Sequence, residues 1–208
     1  IEKRIDFCCR GVAIADRLLS GLRCNECLKR DNFGAFALAI ILFSLATSIF
    51  FTPLPVFLSQ QLGMSTSMVY VAYLLNSMGA MVGYFFIGRH ARSIDVRTQM
   101  RRSVLARSLL IFLLVGVAYF SFFPTILTTI ILIAIGFAYS LYFILMLSLS
   151  MELIPQGKSG IFDVLVGSGA AIGSFLGPFL ANSMAYLPTF IIAAVLLFLA
   201  FLVLKISS

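Results

Sequence analysis

Between Asp31 and Arg89 the chain carries no charged residue. The same holds between Arg107 and Glu152, and between Asp163 and Lys205. Counting the positions between the bounding charges, these runs are 57, 44 and 41 residues long. Only 11% of the 208 residues are charged, against about 25% in a soluble domain. So little charge cannot cover a globule with polar surface. With 61% hydrophobic residues and a mean hydropathy of +1.08, the chain belongs to the membrane class.

Other absences exclude whole chemistries. No Asp, Glu, Lys or His falls in the middle of an apolar run, so the proton relays that such groups build inside membranes are not expected. The single histidine, His90, lies at the edge of a run, which leaves an intramembrane hydrolase or metalloprotease without its residues. Gly157-Lys158-Ser159 ends like a phosphate-binding loop, but Glu152 stands where the first glycine of that pattern must be. Nucleotide binding is therefore not expected, and Lys158 reads as an anchor at anionic headgroups. All four cysteines lie early, at Cys8, Cys9, Cys24 and Cys27. Adjacent cysteines rarely share one structural metal and no second ligand pair follows Cys24 and Cys27, so reduced thiols are expected and no metal or other cofactor. The net charge of +7 needs no nucleic acid to explain it. It follows from basic segments beside a membrane.

What is present is length. One spanning helix takes about 20 apolar residues, so each run holds two helices and a turn. The expectation is an all-α membrane protein of six transmembrane helices, near 34–57, 68–88, 104–122, 126–150, 161–184 and 187–205. The uncharged turns are "SQQLGMSTS" (59–67), "SFFPT" (121–125) and "NSMAYLP" (182–188). All fifteen Lys and Arg lie in the N-terminal segment, in 89–107, at Lys158 or at Lys205. The excess of positive charge on the cytoplasmic side then puts both termini in the cytoplasm of a multi-pass protein of the cell membrane. Residues 1–32 form a separate segment. Ile1, Ile5, Cys8, Val12 and Leu19 recur at near-helical spacing, which predicts an interfacial amphipathic helix. Residues 33–208 form the bundle.

Two patterns within the helices point to function. Gly169, Gly173 and Gly177 repeat every four residues in the fifth helix, and Gly79 and Gly83 do so in the second. Small residues at this spacing let helix backbones touch in lipid. Pro178 removes one backbone donor and lets the fifth helix bend. Polar side chains are unevenly shared. The sixth helix, "LPTFIIAAVLLFLAFLVL", and the third are almost plain. The first, second, fourth and fifth carry Thr47, Asn76, Tyr139, Tyr142 and Ser168, the candidates for lining a solute cavity.

The stretch "TPLPVFLSQQLGMSTSMVYVAYLLNSMGAMVGYFFIGRHAR" resembles the seventh and eighth helices of major facilitator superfamily transporters. "IPQGKSGIFDVLVGSGAAIGSFLGPFLA" resembles that family's loop into its eleventh helix, ending in Leu176, Gly177 and Pro178. The resemblance implies one six-helix half of a twelve-helix fold, the C-terminal half, with residues 1–32 closing the central loop. It implies that the third and sixth helices face lipid. It also implies alternating-access transport of a small solute, with an N-terminal six-helix half or a second copy as partner. The family's cytoplasmic loop signature is degenerate here. Gly88 and Arg89 are followed by Arg92 where an acid is usual. The rival readings are an oligomeric six-helix channel subunit, which would need a filter such as N-P-A or T-V-G-Y-G, and a membrane scaffold without transport. An enzyme is not expected.

Overall fold

The computed structural model describes residues 33–90, 95–120, 124–153 and 160–206. The amphipathic segment 1–32 with its four cysteines, Arg92, and the loop holding Lys158 lie outside them. Every described element is an α-helix, and six spans are long and apolar enough to cross a membrane. The first span is Phe33–Phe51 continued by the short helix Leu54–Gln60. The second to sixth are Thr66–His90, Val96–Phe120, Pro124–Leu153, Gly160–Met184 and Tyr186–Ile206.

The interruption in the first span follows from its prolines. Pro53 and Pro55 bring no N–H, so the carbonyls of Ile49 and Phe51 lose their donors one turn on. The Tyr73 hydroxyl of the second span donates to the Phe51 carbonyl at 3.3 Å. Gly177 of the fifth span packs on the Ile49 carbonyl, so close that an added Cβ would sit 3.0 Å from it.

The third span starts eight residues before the expected position 104. The basic stretch ahead of the apolar run is helical too, because Asp95 opens it. Its carbonyl accepts from the Gln99 N–H at 3.0 Å. A hydrogen bond from the Thr98 side chain holds its exposed carboxyl below its ordinary pKa. An acid at this place satisfies free N–H groups and the positive end of the helix dipole. Arg107 thus moves from the cytoplasmic edge to the twelfth position of a 25-residue helix. It does not belong to the basic loop.

Two glycine seams hold the bundle. In the first, Gly79 and Gly83 of the second span face Ile133, Phe137 and Ser140 of the fourth, and Gly136 of the fourth faces Asn76. In the second, Gly169, Gly173 and Gly177 of the fifth span face Ile41, Leu45 and Ile49 of the first. A Cβ at Gly79, Gly83, Gly136 or Gly173 would collide with the opposite helix. The third span packs on the fourth and the sixth, and the Ser108 hydroxyl donates to the Ala194 carbonyl at 2.9 Å. Spans one and four are the most enclosed, with 44% and 56% of their most apolar stretch buried, and spans two and five the least, with 22% each. Spans two and five expose the bulk of Met78, Met81, Phe85, Ile172, Phe175 and Phe179.

Candidate functional site

Hydroxyls in an apolar helix are costly unless paired. Here most close on their own helix. Ser77, Ser103, Thr129, Ser174, Ser183 and Thr189 donate to the carbonyl four residues back. Ser140, Ser150 and Ser168 donate to the carbonyl three back. Against that background the exceptions stand out. Among the described residues, the buried polar side-chain atoms without a hydrogen-bond partner are Thr47 Oγ1, Thr128 Oγ1, the Tyr142 hydroxyl, and Nε, Nη1 and Nη2 of Arg107.

All of these but Thr128 lie at mid-span. Arg107 is fully buried. Its guanidinium carbon lies 4.8 Å from the ring centre of Tyr139, 5.0 Å from Phe43 and 5.5 Å from Phe51. Tyr142, also fully buried, stacks on Phe43 with ring centres 3.6 Å apart. Tyr139 stacks on Phe143 at 5.8 Å. Phe43, Thr47 and Phe51 recur every four residues and share one face of the first span, so Thr47 belongs to the face whose two rings bracket the guanidinium. Thr47 is the fourteenth of the 27 residues of its span, and Tyr139 the sixteenth of 30. Thr128 lies eleven residues from Tyr139 along the fourth span, about 16 Å at the helical rise.

The aromatic cage compensates the charge better than it satisfies the donors. An arginine at the centre of a spanning helix costs about 2.5–3.5 kcal/mol on insertion scales. A desolvated cation–π contact returns about 2 kcal/mol, so three rings can offset the charge. They offer no acceptors in the plane of the guanidinium fork. An unmet buried donor costs about 1–3 kcal/mol. What the centre lacks, within the described residues, is a planar pair of acceptors.

The expected cavity residues divide. Tyr139 and Tyr142 come together at Arg107, and Thr47 lies between Phe43 and Phe51 on the face of the first span whose rings meet the guanidinium. Asn76 does not join them. Its Nδ2 donates to the Leu132 carbonyl at 2.6 Å, tying the second span to the fourth. Ser168 is exposed and bonded to its own helix. The Gly169, Gly173 and Gly177 row faces the first span of the same chain, and the fifth helix runs unbroken through Pro178. Gly88 and Arg89 are exposed at the end of the second span, and a side chain at Gly88 would meet nothing within 4 Å. A cleft of about 460 Å³ opens between Pro53 and Val56 of the first span and Pro178, Ala181 and Asn182 of the fifth.

Arg107, Phe43 and Phe51 were missed from sequence. The expected plainness of the third helix is corrected, since one face carries buried Arg107 and Ser108 while Leu109, Phe112 and Leu113 are exposed on the other. The available signal was Asp95 followed by Thr98, a helix start that would have placed Arg107 at mid-span.

No curated protein and no solved structure matches the chain. The family model of the Major Facilitator Superfamily matches residues 16–162, more than half of the sequence. With six apolar helices and that match, the chain belongs to the major facilitator superfamily of membrane transporters.

Proposed function

We propose that the chain moves a small solute across the cell membrane by alternating access, as the C-terminal six-helix half of a secondary transporter. The observation that carries this reading is the imbalance between spans. The first and fourth enclose a polar centre, while the second and fifth expose Met78, Met81, Phe85, Ile172, Phe175 and Phe179. A second six-helix unit, an N-terminal half or another copy, would cover those side chains and close a cavity at mid-membrane depth, where transporters bind solute between repeats. The seam of Gly169, Gly173 and Gly177 gives one helix pair a smooth contact, and Pro178 lowers the cost of bending beside it. Both termini lie in the cytoplasm on this reading, because the basic residues outside the spans collect on one side.

The test pairs topology with assembly. A reporter active only in the cytoplasm should work when fused after Lys205 and fail when inserted in 59–67. Cysteines replacing Phe85 and Phe175 should crosslink to a second six-helix unit in the membrane. A working reporter within 59–67, or crosslinks only to lipid analogues, would overturn the reading.

A further inference from the structure

The centre of the bundle has more polar valence than its own residues use. The Arg107 fork, Thr47 Oγ1 and the Tyr142 hydroxyl are buried and unpartnered among the described residues, and rings wall the guanidinium. We propose that Arg107, with Thr47 and Tyr142, binds the carboxylate of a small monocarboxylic acid whose body is apolar or aromatic. This deepens the transporter reading and rests on it.

Three arguments fix the class. First, the guanidinium presents parallel N–H donors that match the two oxygens of a carboxylate. Second, Arg107 is the one charge at mid-span among the described residues. It balances one negative charge, and a dianion such as phosphate would leave a net charge in an apolar interior. Third, what surrounds the fork is Phe43, Phe51, Tyr139 and Tyr142. Such walls suit a ring or an alkyl chain and offer little to a sugar or a zwitterion.

Entry has a structural route. Arg107 and Phe43 are buried, but Phe51 and Tyr139, two of the rings against the guanidinium, are only half-buried, so the wall is thinnest on their side. Phe51 is the last residue before the interruption at Thr52 and Pro53. Rotation of the Phe51 side chain, at the end of its helix beside that break, would carry the ring off the guanidinium. The carboxylate would take its place, with Thr47 and Tyr142 donating their hydroxyls to it.

The experiment uses the native assembly purified from its host membrane into lipid nanodiscs. Binding of radiolabelled benzoate is measured, with phenylacetate, hexanoate, neutral benzamide and inorganic phosphate as competitors. Wild type should bind benzoate. Phenylacetate and hexanoate should compete, and benzamide and phosphate should not. Arg107→Gln should abolish binding. Arg107→Lys keeps the charge but loses the fork and should weaken it at least about tenfold, and Thr47→Ala and Tyr142→Phe about tenfold each. Thr128→Val removes a buried hydroxyl far from the fork and should change nothing. The proposal is overturned if none of the three carboxylates binds, if folded Arg107→Gln or Arg107→Lys protein binds as wild type does, or if phosphate competes as well as hexanoate. Benzoate flux into proteoliposomes separates the two readings. Binding that depends on Arg107 without flux would sink the transporter reading and keep the site. Flux of other solutes, without carboxylate binding, would sink the site and keep the transporter.

Discussion

The two faces of the first span do opposite things. Ile41, Leu45 and Ile49 meet the fifth span so closely that Gly169 and Gly173 have no room for a side chain and Gly177 has little. Two positions on, about 200° around the helix, Phe43, Thr47 and Phe51 form a face that borders Arg107 and leaves Thr47 Oγ1 unpaired. One face is closed by shape, backbone against backbone. The other is packed with rings and keeps hydrogen-bonding capacity in reserve. Stability and function are therefore expected to separate along this single helix. Substitutions on the glycine face should act through packing, and substitutions on the ring face through ligand chemistry.

The sharpest way to break that contrast is to fill the glycine seam. Gly173→Leu should abolish transport while the protein still inserts, because a Cβ there already collides with the Leu45 carbonyl. Overpacking of this kind costs about 1–3 kcal/mol, enough to hold a two-state carrier in one state. Gly116→Leu in the third span is the control, since a side chain there meets nothing within 4 Å. Uptake and thermal melting of both variants decide it.

Next in size is a change that should raise stability. Arg107→Met replaces an incompletely satisfied buried cation with an apolar chain of similar length. Replacing buried charge in this way is often stabilising, by about 1–4 kcal/mol. The melting temperature should rise as benzoate binding disappears, a gain of stability for a loss of function. A fall in melting temperature would show that the ring cage satisfies the arginine fully.

Asn76→Ala should cost about 1 kcal/mol, the usual worth of an interhelical hydrogen bond in a membrane, and should leave carboxylate affinity unchanged. Asn76 ties the second span to the Leu132 carbonyl and lies outside the Arg107 cluster. The smallest effect is expected at Ala185, a non-glycine residue with φ of 74° in the turn between the fifth and sixth spans. Glycine relieves about 1 kcal/mol of left-handed strain and gives most of it back as chain entropy. Ala185→Gly should therefore stabilise by a few tenths of a kcal/mol, read from denaturation midpoints.

The outline of the bundle was legible because charge-free runs report helix pairs directly. Five of the six spans begin and end close to the expected positions. The third starts eight residues before the expected position 104, since its first two turns are basic and fall outside the apolar run. Helix formation there depends on Asp95 and on arginines that tolerate the helix, and hydropathy is blind to both. That single boundary hid the centre of the site. Arg107 ended a charge-free run and so looked peripheral, and Phe43 and Phe51 looked like ordinary apolar residues without it. Tyr139, Tyr142 and Thr47 were legible as polar groups on helices with no other reason to carry them. Asn76 and Ser168 carried the same signal, but local hydrogen bonds account for them. Sequence alone does not tell a hydroxyl that closes on its own helix from one left open.

The central claim is that this six-helix chain works only with a second six-helix unit. It is tested most directly by measuring solute flux into proteoliposomes against the assembly state of the reconstituted chain, counted by native mass spectrometry. The account predicts no flux from chains that are monomeric, and flux when the chain is paired with a second six-helix unit. Robust flux from a population shown to be monomeric would contradict it.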